Sequence, residues 1–178
     1  MNVIIFGPPG AGKGTQSDFI VKKFSLFKLS TGDLLREEIK KKTKLGTKIT
    51  SAVNSGTFVS DEIINKLIEN IVSNKKYKNK IIFDGYPRNL SQAKNLNTLL
   101  VKYKQKIDLV IRLKVKLEVI KKRITGRVVC SKCGNTYNQF FNPPEDNSTC
   151  CKKEFLKKRV DDNVDVAVKR FQTYEEST

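Results

Sequence analysis

The sequence predicts an α/β fold, a parallel β-sheet flanked by helices, with a small β-rich insert toward its C-terminal end. Three observations predict it. Short apolar runs ("NVIIF", "LFKLS", "KIIFDG", "IDLVIRL") alternate with segments whose apolar residues recur at helical spacing, the pattern of parallel strands covered by helices on both faces. A glycine-rich loop joins the first run to a helical segment. The alternation then breaks over residues 126–162, which are rich in Cys, Pro, Asn and aromatics.

Each element has its own signal. "NVIIF" is a short buried strand, and "KGTQSDFIVKKF" reads as a helix with Phe19 and Ile20 inward. "LFKLS" is a second short strand. In "STGDLLREEIKK" Ser30, Thr31 and Asp33 offer caps to an amphipathic helix. A further helix is expected over 46–54. In "SDEIINKLIENIVS" Ile63, Ile64, Leu67, Ile68 and Ile71 share one helical face. "KIIFDG" is a buried strand ending in a carboxylate and a glycine. "NLSQAKNLNTLLVKY" is a helix with Leu96, Leu99 and Leu100 on one face. "IDLVIRL" is a strand and "KLEVIKKRI" a helix. Helix resumes after the insert at "NVDVAVKRFQTYEE".

The 178 residues, 38% of them apolar, suffice for one domain with a real core. No apolar run is long enough to span a bilayer, and "VIIF" ends at once in glycines, unlike a signal peptide. A cytoplasmic chain is expected. The net charge of +17 suits a polyanionic partner. Its lysines, however, are dispersed ("NKKYKNKI", "IKKKTK", "VKYKQK") and not interleaved with aromatics as a nucleic-acid platform would need. No nucleic-acid partner is expected.

"GPPGAGKGTQ" carries the strongest signal. Strand, glycine loop and helix in that order make a phosphate cradle, in which backbone N–H groups turn inward, the helix N-terminus adds its dipole and Lys13 adds a point charge. The match is G-x-x-x-x-G-K, so the sheet is expected to be of the P-loop NTPase type. The general motif continues with Ser or Thr, which ligates Mg²⁺. Here Gly14 takes that place and Thr15 follows.

With that departure the loop resembles the nucleoside monophosphate kinases, whose cradle reads G-x-P-G-x-G-K-G-T. Further strings resemble adenylate kinases of the long-lid bacterial type. The resemblance implies ATP on Gly10, Ala11, Gly12, Lys13, Gly14 and Thr15. "STGDLLR" resembles the monophosphate site and implies Thr31 and Arg36 on AMP; Thr31 favours AMP over the pyrimidine kinases. "GTFVSDE" implies backbone around Thr57, Phe58 and Val59 against the adenine. "FDGYPRNLSQA" implies Gly85, Tyr86, Pro87 and Arg88 at the AMP, Gln92 on its base, and Asp84 in a Mg²⁺–water environment. "RITGR" implies Arg123 and Arg127 on the ATP phosphates, and Thr136 and Tyr137 match a lid position that covers ATP. Arg159, in "R-x-D-D-N", and Arg170 eleven residues later match the lid exit and close on the transferring phosphoryl group. Lys13, Arg88, Arg123, Arg159 and Arg170 are thus the implied catalytic set.

Cys130 and Cys133 form a C-x₂-C knuckle, and Cys150 follows after sixteen further residues. The resemblance implies a structural Zn²⁺ in the lid, completed by a second knuckle. Here Lys153 stands where its last ligand would be, and Cys151 is adjacent to Cys150 instead. Three readings follow: Zn²⁺ on Cys130, Cys133, Cys150 and Cys151; Zn²⁺ on three of these with water or a carboxylate such as Glu154; or a lid held by packing alone.

The implied reaction is ATP + AMP ⇌ 2 ADP with Mg²⁺, by a monomer with no membrane partner. The implied division is core over 1–29, an AMP-binding segment over 30–59, core over 60–125, lid over 126–162 and a core helix over 163–178. The family continues into one more strand and helix, so a chain ending at "FQTYEEST" is expected to be less stable and less active than a longer version. Alternative readings are a GTP:AMP or UMP/CMP kinase, an inactive nucleotide-binding fragment, and a zinc-ribbon nucleic-acid binder that leaves "DGYPR" and "STGDLLR" without purpose.

Overall fold

The computed structural model describes residues 1–55, 59–145 and 149–178. It contains β1 (Val3–Phe6), α1 (Lys13–Phe24), β2 (Phe27–Ser30), α2 (Thr31–Lys40), α3 (Lys44–Ser55) and α4 (Asp61–Val72). There follow β3 (Ile81–Asp84), α5 (Leu90–Lys102), β4 (Leu109–Arg112), α6 (Leu117–Thr125), β5 (Arg127–Cys130), β6 (Thr136–Asn138), β7 (Leu156–Lys157) and α7 (Val164–Ser177).

Four strands form a parallel sheet in the order β2-β3-β1-β4. The central strands are apolar without alternation because both faces are covered. On one face Ile4, Leu29, Ile81 and Phe83 pack against Leu35, Ile64, Ile68, Leu96, Leu99 and Leu100 from the helices. On the other, Val3, Ile5, Leu26 and Ile82 pack with Ile20 and Val21 of α1. Phe19 does not point inward as the sequence suggests; it is 64% exposed. The face that α1 turns to the sheet carries Ser17, Ile20 and Val21, and Phe19 lies about 100° away from Ile20. β4 is an edge strand, shorter than the apolar run that contains it, with Leu109 and Val110 exposed.

Asn2 clips the strands together at their amino ends. It is fully buried; its Oδ1 accepts from Ile81 N at 3.1 Å, and its Nδ2 donates to Gln105 Oε1 at 3.2 Å and Lys106 O at 3.0 Å. At the opposite ends β1 runs into the glycine loop, β2 ends at Ser30 and β3 at Asp84, with Ser30 beside Asp84 in register. Carboxyl ends of parallel strands border the crevice where such sheets bind ligands.

The insert forms its own antiparallel sheet, β6-β5-β7. Ile120 and Ile124 of α6 pack on Ala167 and Phe171 of α7, so the insert's two arms leave and rejoin the core side by side. Among the described residues, no helix is long and apolar enough to cross a membrane.

α2 and α3 meet at Gly46, where an added Cβ would lie 2.1 Å from Glu38 O and 2.5 Å from Glu38 C. These are backbone atoms and cannot swing aside. Gly46→Ala is expected to destabilise the fold by about 1–3 kcal/mol through overpacking. A urea unfolding midpoint equal to that of the parent chain would refute this.

Candidate active site

The loop between β1 and α1 is shaped by glycines that do specific work. Gly7 has φ 151°, and a Cβ there would lie 2.6 Å from Leu113 O; Gly12 has φ 95° and caps α1 with no side chain at all. The first N–H groups of α1 are therefore left to an incoming anion. Lys13 arches back over the loop, its Nζ donating to Gly7 O at 2.7 Å and Pro8 O at 3.0 Å. Burial pushes its pKa down to about 8; Asp84 opposes the shift, while Arg88, Arg127 and Arg170 add to it. Arg123 Nη1 donates to Ala11 O at 3.0 Å, tying α6 to the loop.

Beside the cradle, β3 ends in Asp84 and Gly85. Burial raises the pKa of Asp84, opposed by Lys13 and Lys28. Gly85 O accepts from Arg88 Nε at 2.7 Å and from Thr31 Oγ1 at 3.2 Å, and Arg88 Nη2 reaches Thr31 Oγ1 at 3.4 Å. Gln92 Oε1 accepts from Arg88 N at 2.8 Å while its Nε2 donates to Asp61 Oδ1 at 2.6 Å. Burial, reinforced by Arg170, lowers the pKa of Arg88 to about 10. Tyr86 is fully buried with its hydroxyl donating to Asn65 Oδ1 at 3.0 Å, and Pro87 follows a cis peptide bond.

The remaining arginines close the ring. Arg36 Nη2 donates to Asp33 Oδ1 at 2.6 Å, and Arg159 Nη2 stands 4.0 Å from the same oxygen. Arg127 embraces both oxygens of Asp162. Arg170 donates to Asp161 Oδ2 at 2.6 Å and to Val53 O at 3.3 Å. Burial, with Arg36 and Arg127 nearby, lowers the pKa of Arg159 to about 10. All line one cleft of about 1650 Å³, together with Gly10, Ala11, Gly12, Gly14, Thr15, Val59, Thr136 and Tyr137. Thr57 and Phe58 lie outside the described residues.

In the insert, the sulfurs of Cys130, Cys133, Cys150 and Cys151 lie within 4.8 Å of one another. Cys133 and Cys151 are 3.5 Å apart, and the Tyr137 hydroxyl donates to Cys151 Sγ at 3.2 Å. No disulfide links any of the four. Four sulfurs so grouped suit a tetrahedral Zn²⁺, whose ligands at about 2.3 Å stand about 3.8 Å apart.

Sequence reasoning overlooked Lys28, which lines the cleft from β2. The available signal was strand alternation: Leu29 is fully buried in the core, so Lys28 and Ser30 point the other way. It also left Asp161 and Asp162 without partners, because only folding brings Arg127 and Arg170 beside them.

Residues 5–178 match a family model described as adenylate kinase. Along its whole length the chain is 52% identical to an adenylate kinase from Pelagibacter ubique, covering 84% of that protein. It is likewise 43% identical to an adenylate kinase from Fusobacterium nucleatum and 41% identical to one from Mycoplasma mycoides, covering 82% and 83% of them.

The Lys13 amine is expected to titrate near pH 8 in the nucleotide-free chain, read from the ¹³Cε shift of labelled lysine that disappears in Lys13→Met. The unfolded chain then binds more protons between the folded pKa of about 8 and the ordinary 10.5. The penalty of burying this cation is thus full below pH 8 and relieved as pH rises toward 10.5, so stability relative to Lys13→Met should climb across that window. A resonance titrating at 10.5 would contradict the burial argument.

Proposed function

The chain belongs to the adenylate kinase family and is a nucleoside monophosphate kinase, and on that premise we propose how its residues divide the work of moving a phosphoryl group from ATP to AMP. ATP lies on Gly10–Thr15, with Lys13 and the helix N-terminus on its phosphates and Arg123, Arg127, Thr136 and Tyr137 over it. AMP lies against Thr31, Arg36, Gly85, Arg88 and Gln92, flanked by the backbone around Val59, Tyr86 and Pro87. Thr57 and Phe58 belong to the same proposed set.

One observation carries this reading. At Gly85 a Cβ would lie 3.9 Å from Lys13 Cε and 3.5 Å from Arg88 Nη2. The cation of the donor cradle and the cation of the second anion site thus face each other across one residue that has no side chain. Phosphoryl transfer needs little covalent help; it needs two anions aligned and their charge neutralised. Lys13, Arg88, Arg123, Arg159 and Arg170 supply that charge, and no side chain need act as nucleophile. Residues 126–162 act as a lid that excludes water, residues 30–59 as the AMP-binding segment, and 1–29, 60–125 and 163–178 as the core.

A carboxylate such as Asp84, buried in the cleft wall with a glycine in the hydroxyl's place, fits a hard Mg²⁺ held through water. Bound with ATP, Mg²⁺ would supply charge neutralisation to the phosphates, with Asp84 holding its water shell. The thiol cluster would hold Zn²⁺ as a structural pin of the lid. Four clustered cysteines that form no disulfide also favour a reducing, cytoplasmic setting. We propose a monomer whose partners are ATP, AMP and ADP, with no role for nucleic acid or membrane.

A coupled assay of ADP formation from ATP, AMP and Mg²⁺ tests the assignment. Activity is expected, and Arg88→Ala should lower kcat/KM by about 100-fold or more. Undiminished turnover in the variant would remove Arg88 from the mechanism. The purified chain is expected to retain zinc stoichiometrically by atomic absorption, whereas Cys151→Ser binds it at least ~10-fold more weakly and melts earlier. Equal zinc affinity in the two would exclude Cys151 as a ligand.

A further inference from the structure

Lys28 is set apart from the many exposed lysines of this chain. Its side chain is 23% exposed, and its Nζ stands 2.9 Å from Asp18 Oδ1, 3.3 Å from Gly14 O and 3.9 Å from Asp84 Oδ2. Asp18 and Gly14 belong to α1, Lys28 to β2 and Asp84 to β3. Lys13, Arg88 and Asp33 also act on Asp84. Gly14 marks the centre of this arrangement. A Cβ built there would lie 3.6 Å from Lys28 Nζ and 3.9 Å from Asp84 Oδ2. The space that a Ser or Thr side chain would begin to fill after the cradle lysine is therefore bordered by an ammonium and a carboxylate.

We propose that Lys28 is a positioning residue acting through Asp84: its ammonium is a resident cation that competes with the nucleotide's divalent metal for that carboxylate and so sets how strongly ATP binding depends on Mg²⁺. The inference rests on the functional reading above. A monovalent cation already beside Asp84 lessens the gain from bringing a divalent one near it, since like charges a few ångströms apart repel even through a wet dielectric. Asp18, which is 60% exposed, draws the ammonium toward α1 and away from Asp84. Weakening that tether lets Lys28 lean further onto Asp84. Two substitutions on the same ion pair should therefore shift the metal dependence in opposite directions, which loss of packing would not do.

The quantity to measure is a ratio: the calorimetric affinity for ATP in saturating Mg²⁺ divided by that in excess chelator. By linkage this ratio reports the coupling between metal and nucleotide on the protein. Lys28→Gln is expected to raise it about 3- to 10-fold, Asp18→Asn to lower it, and Lys28→Arg to leave it within about twofold of the parent. An unchanged ratio in Lys28→Gln, or a shift of the same sign in Lys28→Gln and Asp18→Asn, overturns the role of Lys28 and leaves the kinase assignment standing. A parent chain that binds no ATP under either condition overturns both.

Discussion

Everything in this molecule is arranged around a crowd of cations gathered along one cleft. Lys13, Arg88, Arg127 and Arg170 are close enough for each of the arginines to depress the lysine's pKa, and Arg36 and Arg127 do the same to Arg159. Such a gathering opposes folding, because each charge is partly withdrawn from water and meets others of its own sign. It is tolerable only with internal anions in the resting chain and external ones at work. Asp33, Asp161 and Asp162 serve as the internal anions. Although burial works to raise them, arginines hold the carboxyls of Asp33 and Asp161 below their ordinary range.

The fold meets this constraint by division. The parallel sheet supplies the rigid part: a fully apolar centre, an Asn2 clip at one end and carboxyl-end loops at the other. Cations that must stay put, Lys13 and Arg88, are anchored to main-chain oxygens of those loops. Arg159 sits on the insert's returning arm and meets Asp33, near the start of α2. That contact is a long one at 4.0 Å with an exposed acid, so it adds little stability and is easily exchanged for a phosphate. An anion entering the cleft thus finds cations already gathered along its walls.

The cysteine cluster connects the insert to the same cleft. Tyr137 lines that cleft and donates its hydroxyl to Cys151, so ordering the sulfurs also orders a residue of the cleft wall. The departure from two spaced knuckles is accommodated because the backbone at Cys150 and Cys151 turns both side chains toward Cys130 and Cys133. Adjacent cysteines therefore do in this chain what spaced ones do in a regular knuckle pair: they bring four sulfurs to one point.

The strand–helix alternation, the phosphate cradle and the two arginine motifs are local in sequence, and local patterns are legible there. A glycine loop between "VIIF" and a helix has few other uses, and apolar periodicity alone placed Ile64, Ile68, Leu96 and Leu100 in the core. Phe19 was misread because α1 is only weakly amphipathic, so periodicity did not decide which apolar residues face the sheet. Sequence by itself determined the fold class, the cradle and the motif arginines. Only the tertiary structure decided which carboxylate answers which guanidinium, whether Cys151 reaches the other sulfurs, and that one lysine among many, Lys28, stands beside Asp84. Most of these contacts join residues far apart in the chain, and Coulomb and metal-ligand interactions depend on distance in space, which no spacing along the sequence records.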